Sequence, residues 1–197
     1  MKAILLSLLL VFLIATPVAA GKPSTTNVCT FDYPYLRLNQ PVTVSTTKTG
    51  TLSVRSVDSG SNSTVIGTTT GSITTAPNRA GDTWYQFYSK SSLASQCYGW
   101  VYSFMTPGSA IDVTSITGEF IVGIEYTVTG TGFVPNITHD VIMQVEEVDG
   151  DIYTDIFTVT SNSIGTWSFH YIPVDSGVYG IGFSEGNWGI STGWSVQ

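Results

Sequence analysis

Two histidines, two cysteines and one dense run of carboxylates are the residues of this 197-residue chain best equipped for chemistry beyond packing. His139 and His170 stand apart, and neither has a second His or Cys at a metal-ligand spacing. His139-Asp140 follows a turn-like stretch, and His170 sits in the alternating run Ser168-Phe169-His170-Tyr171, where a histidine on a strand face is the expected reading. The run Glu146-Glu147-Val148-Asp149-Gly150-Asp151, with Asp155, offers the hard oxygen ligands that calcium takes. Its spacing does not match a helix–loop–helix calcium loop, and alternate strand residues point to opposite faces, so a solvated acidic hairpin is expected. The chain has no nucleophile-elbow pattern, phosphate loop or glycine-rich dinucleotide fingerprint. A glycosidase needs only two well-placed carboxylates, but two domains this small leave little room for its cleft. The expectation is a protein that is not an enzyme and uses no cofactor and no metal.

Aromatic residues are the stronger candidates. Thr83-Trp84-Tyr85-Gln86-Phe87-Tyr88 and Gly99-Trp100-Val101-Tyr102-Ser103-Phe104 both alternate as strands do. If Phe87 and Val101 face a core, Trp84, Trp100 and Tyr102 lean outwards. Outward aromatics give large, rigid contact area with a polar handle, which suits peptide or sugar binding. Trp84, Trp100 and Tyr102, with Tyr85 and Arg55 beside them, are the candidate ligand-binding residues.

The elements that must hold these side chains are strands. Thr, Ser, Gly, Val, Ile and Tyr dominate after residue 20, and no long segment there has helical apolar spacing. Met1-Lys2, an apolar run to Thr16, Pro17 and the small residues Val18-Ala19-Ala20 read as a signal peptide over 1–20, cut after Ala20. The mature chain is then expected outside the cell with no membrane span. Export makes a disulfide between Cys29 and Cys97 the expected state; it would close a loop of about 68 residues. Asn62-Ser63-Thr64 and Asn136-Ile137-Thr138 match the glycan acceptor pattern.

The turn signal Pro107-Gly108 divides the rest into domains at 21–107 and 110–197. Lys22, Arg37, Lys48, Arg55, Arg79 and Lys90 against Asp32, Asp58 and Asp82 leave the first near +3. The second has no Lys or Arg and carries −11 from Asp112, Glu119, Glu125, Asp140, Glu146, Glu147, Asp149, Asp151, Asp155, Asp175 and Glu185. That pattern has no continuous basic footprint for nucleic acid.

Five or six short strands in the first domain suggest a small closed barrel. Thr51-Leu52-Ser53-Val54-Arg55-Ser56, Thr64-Val65-Ile66-Gly67, Gly81-Asp82-Thr83-Trp84-Tyr85-Gln86-Phe87 and Tyr98-Gly99-Trp100-Val101-Tyr102-Ser103 resemble, in order, four motifs of the bacterial SH3-like (SH3b) domains. The resemblance spans roughly residues 42–105, and the turn after Arg55 lacks the family's Gly-Pro. It implies a small β-barrel that binds peptidoglycan or peptides at a cell surface. In the second domain, strands are expected at 112–116, 125–131, 140–148, 152–160, 166–171, 178–183 and 193–196, with Asp149-Gly150 as a two-residue hairpin turn. Seven strands at this spacing point to a two-sheet sandwich. Tyr126 to Asn136, Gly165-Thr166-Trp167-Ser168-Phe169 and Pro173 to Tyr179 resemble stretches of secreted prokaryotic immunoglobulin-like repeats, which implies a spacer or adhesion module.

The expected fold class is therefore all-β: an SH3-like barrel followed by an immunoglobulin-like β-sandwich. The expected function is a secreted binding protein for cell-wall peptidoglycan or a surface peptide or glycan. The alternative is a structural subunit of an extracellular layer or filament, whose partner is a neighbouring extracellular protein met through complementary charge.

Overall fold

In the computed structural model, which describes residues 29–197, every regular element is a strand. The expected signal peptide and the basic residue Lys22 lie outside the described residues. No described helix is long and apolar enough to cross a membrane.

The first domain contains β1 (Cys29–Phe31), β2 (Leu36–Arg37), β3 (Val42–Thr46), β4 (Leu52–Asp58), β5 (Ser63–Thr69), β6 (Ser72–Thr75), β7 (Gly81–Ser89) and β8 (Ser92–Tyr102). They form a five-stranded sheet, β2-β8-β7-β4-β5, and a three-stranded sheet, β1-β3-β6. Strand alternation sends Val42, Val44, Leu52, Val54, Tyr85, Phe87 and Val101 into the space between the sheets, where all are buried. Cys29 on β1 is bonded to Cys97 on β8, with Cα atoms 5.1 Å apart, so one covalent link joins the two sheets. Eight strands replace the expected five or six. The additional ones, β1, β2, β3 and β6, are only two to five residues long. The stretch between Phe87 and Trp100 is the β7–β8 hairpin itself, turned at Lys90 with a positive φ of 56° and bulged between Phe87 and Tyr88.

The second domain contains β9 (Ala110–Ser115), β10 (Tyr126–Thr131), β11 (Thr138–Glu147), β12 (Ile152–Thr160), β13 (Trp167–Tyr171), β14 (Gly177–Glu185) and β15 (Trp188–Val196). Sheet β13-β10-β9 packs on sheet β12-β11-β14-β15, an immunoglobulin-like β-sandwich in strand order. Its core is aromatic: Tyr126, Phe133, Trp167 and Tyr179 are all buried with Val128, Met143 and Ile181. The Tyr179 hydroxyl donates to the Asp175 carbonyl at 2.7 Å, the corner bond that pins the start of this strand in such sandwiches. All seven expected strands are present, but β15 begins at Trp188, five residues early, because Gly189 and Gly193 obscure its alternation. The β11–β12 turn is a three-residue loop, not the expected two. Gly150 N–H donates to Glu147 O, and Glu147 N–H donates to Asp151 O, with Gly150 at φ 96°.

The domain boundary lies earlier than Pro107. Phe104 and Met105 pack in the second core, so the first domain ends by Ser103. The Thr106–Ser109 turn is fastened down: the hydroxyls of Thr106 and Ser109 both donate to Gly132 O, at 2.8 and 2.9 Å. The Glu185 carboxylate accepts the backbone N–H groups of Ser103, Phe104 and Met105, the last two at 3.0 Å. A carboxylate accepting several backbone donors is a strong, charge-assisted contact. Removing it leaves those donors short of a partner, so Glu185→Ala should cost about 2–3 kcal/mol. Limited proteolysis at residues 102–106 checks this, since the variant should be cut there faster than wild type.

Candidate functional site: an aromatic and amide sheet face

The outer surface of the five-stranded sheet follows from register. Tyr85 and Phe87 point inward, so Asp82, Trp84, Gln86 and Tyr88 of β7 point outward. Trp84 pairs with Val57 of β4 and Tyr98 of β8. Gln86 pairs with Arg55 and Gln96, and Arg55 pairs with Val65 of β5. Two adjacent rows therefore cross four strands: Ser63, Val57, Trp84 and Tyr98 in one, and Val65, Arg55, Gln86 and Gln96 in the other.

The side chains on these rows hold one another in place. The Trp84 and Tyr98 rings lie 5.4 Å apart between centroids. The Tyr98 hydroxyl donates to Asp82 Oδ1 at 2.5 Å. Gln86 Nε2 donates to Gln96 Oε1 at 3.0 Å, and the Tyr88 hydroxyl donates to Gln86 Oε1 at 2.8 Å. The Arg55 guanidinium sits over the Tyr88 ring, 5.4 Å from its centroid. Tyr98 and Val65 remain about half-exposed or more, at 48% and 64%. The result is a surface of rings and amides held by one another, with one cation, Arg55, and one carboxylate, Asp82. Rings stack on the C–H faces of sugars, and side-chain amides meet hydroxyls as donors and acceptors.

The expected site residues do not converge. Trp84 and Arg55 share this face. Tyr85 belongs to the core, 1% exposed, because strand alternation turns it inward beside Phe87; it offers no surface contact. Trp100 faces the second domain's β14–β15 turn instead of an open groove: a Cβ built on Gly186 would lie 3.0 Å from its ring, and its Nε1 is buried without a hydrogen-bond partner. Tyr102 stands next to Tyr35, ring centroids 6.1 Å apart, on the same junction side. Tyr88, Gln86, Tyr98 and Gln96 also belong to this face, and counting by two along the strands from Trp84 and Trp100 reaches all four.

Arg79 does not stand free for an anion: its Nη1 pairs with Asp58 Oδ2 at 2.7 Å. Hydrogen bonds from the Asn62 side chain, then its backbone, then Arg79, hold the Asp58 carboxyl below the usual range. These residues border a polar cleft of about 320 Å3 at one end of the first domain, which Tyr85 reaches from the core side. His139 stacks on Phe104 at 4.2 Å, and His170 Nδ1 shares a 3.1 Å contact with the Thr127 hydroxyl. Among the described residues, no three His, Cys, Asp or Glu side chains converge on a metal-sized site.

Burial pushes the Tyr85 phenol from 10.0 up to about 12. Burial first, then the Asp82 carboxylate, does the same for Tyr98. A phenol whose folded pKa is raised favours the fold while protonated. Its contribution is therefore present below pH 10 and lost as the pH rises toward 12. Alkaline titration should show these two phenolates forming late, together with a loss of first-domain stability in that window; spectrophotometric tyrosine titration alongside circular dichroism checks it.

No family model matches the sequence, and no curated protein matches it. Among solved structures, a tetra-tandem repeat in the extending region of a large adhesion protein shares 14% identity and covers 86% of this chain and 48% of its own, with a TM-score of 0.38. The present chain thus spans about half the length of that structure. Fibronectin(III)-like modules of Clostridium thermocellum CbhA share 14% identity over 85% of this chain and 91% of theirs, with a TM-score of 0.28. Scores this low establish neither a shared function nor a shared whole-chain fold; the sandwich stands on its own strand pairing.

Proposed function

We propose that this chain is a secreted, non-catalytic binding protein whose first domain takes a cell-wall or surface glycan on the face around Trp84. The observation that carries the reading is the pair of registered rows that set Trp84 and Tyr98 beside Gln86 and Gln96 on an open sheet. The SH3-like motif order points to the same domain and to the same kind of ligand. The Cys29–Cys97 bond fits an oxidising compartment, as the apolar N-terminal run does. A glycan is favoured over a charged peptide because the face is mostly neutral and rich in rings and amides.

Adsorption to insoluble cell-wall material and polysaccharides tests the reading. Wild type should be depleted from solution by at least one of them, and Trp84→Ala should lower the affinity roughly tenfold, the loss of one stacked aromatic anchor. Trp100→Ala, at the domain junction, should bind as wild type does. No adsorption to any wall material, or equal adsorption by Trp84→Ala, would overturn it.

A further inference from the structure

The outer face of the sandwich's four-stranded sheet carries a trough of about 540 Å3. Its floor is glycine: Gly180 of β14 pairs directly with Gly193 of β15, and Gly182 lies on the same face. Its walls include Ile142, Ile152 and Val178, which are 54%, 60% and 45% exposed. None of the three glycines has a left-handed φ, so the backbone does not require glycine there. At Gly180 an added Cβ would meet only Thr192 O, at 3.8 Å. Glycine inside a strand weakens it and often marks a place where another chain approaches closely.

The charges around the trough indicate what that chain carries. Glu146 lines one end of it, and the β11–β12 turn there bears Glu147, Asp149 and Asp151. Burial, followed by repulsion from Asp175, Asp149 and Asp151, pushes the Glu147 carboxyl up. No Lys or Arg occurs from Ser109 to Gln197, so nothing within this domain neutralises that end. The opposite pole of the molecule is its counterpart. The C-terminal end of β8 lies at the domain junction, which puts the β7–β8 turn at the far pole. That turn carries exposed Lys90 and, just beyond it, Leu93, 48% exposed. The β3–β4 loop with exposed Lys48 lies at the same pole, held there by a 2.8 Å hydroxyl pair between Thr46 and Ser95. No acid occurs in residues 42–57 or 83–99.

We propose that the occupant of the trough is a second copy of this chain: the β7–β8 turn of one molecule seats in the trough of the next, Leu93 against Ile142, Ile152 and Val178, with Lys90 and Lys48 against the acids at its mouth. The two surfaces differ and lie at opposite poles, so the contact repeats head to tail and builds a linear assembly that does not close as a twofold dimer does. Trp84 is on neither surface, although Leu93 pairs with Tyr88 at the edge of the glycan face.

Sedimentation velocity of the purified chain over a concentration series tests it. At low ionic strength the average sedimentation coefficient should climb with concentration, and at about 0.5 M salt it should fall back to the monomer value. Lys90→Glu, on an exposed turn, and Gly180→Val, which fills the trough, should each weaken association about tenfold or more. Glu146→Lys, which lines the end of the trough, should do the same. A mixture of Lys90→Glu with Gly180→Val should stop at a dimer, because each variant keeps only one working pole. A strict monomer at low salt and high concentration would overturn the proposal. So would undiminished growth in Lys90→Glu, or open-ended growth in the mixture. If Gly180→Val fails to fold, Lys90→Glu and Glu146→Lys decide.

Discussion

Breaking the Cys29–Cys97 bond, by reduction or in a Cys29→Ala/Cys97→Ala variant, is expected to lower the stability of the first domain by about 4 kcal/mol. The bond closes a separation of 68 residues, and loop-closure entropy removed from the unfolded chain accounts for that figure. It also joins the three-stranded sheet to the five-stranded one, which otherwise meet through a modest aliphatic and aromatic core. For a domain of this size the loss corresponds to a fall of about 20 °C in midpoint. The sandwich has its own core and no cysteine, so its transition should move far less. Calorimetry with and without reductant separates the two. Two transitions falling together by the same amount would mean that the domains unfold as one unit.

The second large effect concerns Gly130. It pairs with Trp167 across β10 and β13, and a Cβ at this position would fall within the Trp167 indole. Its φ lies outside the left-handed region, so space is the reason for glycine here. Trp167 is 2% exposed and packs on Phe133, Phe169 and Phe183, leaving the ring no direction in which to yield. Gly130→Ala should therefore cost about 3 kcal/mol, between ordinary overpacking and loss of the ring from the core. Gly180→Ala, with room above it, is the matched control and should leave the urea midpoint unchanged or raise it. A Gly130→Ala midpoint equal to wild type would show that the indole can move aside without loss.

What the sequence revealed, and what it did not, divides along physical lines. Strong alternation in the second domain located its seven strands, because each strand has one buried and one wet face. β1, β2 and β6, of two to four residues, are too short to carry a periodic signal, whereas the alternation of Val42 and Val44 in β3 is readable and was passed over. The outward placement of Trp84 followed from alternation alone. Tyr85 was misread as a surface residue although the same alternation turns it inward with Phe87. Trp100 and Tyr102 do stand off the first core, but the β14–β15 turn and Glu185 come from more than eighty residues downstream. No local pattern announces a domain junction built over that separation. The glycine floor of the trough was equally hidden, because a glycine kept for open space and one kept for a turn look alike until φ and the neighbouring atoms are known.

On the proposed function, ligand meets this protein on the face of β4, β7 and β8. Amide chemical-shift mapping of the isotope-labelled chain during titration with a soluble fragment of the wall glycan that adsorbs it reads this directly. Perturbations should cluster at residues 55–57, 84–88 and 96–98, move the Trp84 indole signal, and vanish in Trp84→Ala. Perturbations confined to the sandwich, or to the junction around Trp100 and Tyr102, would rule that face out.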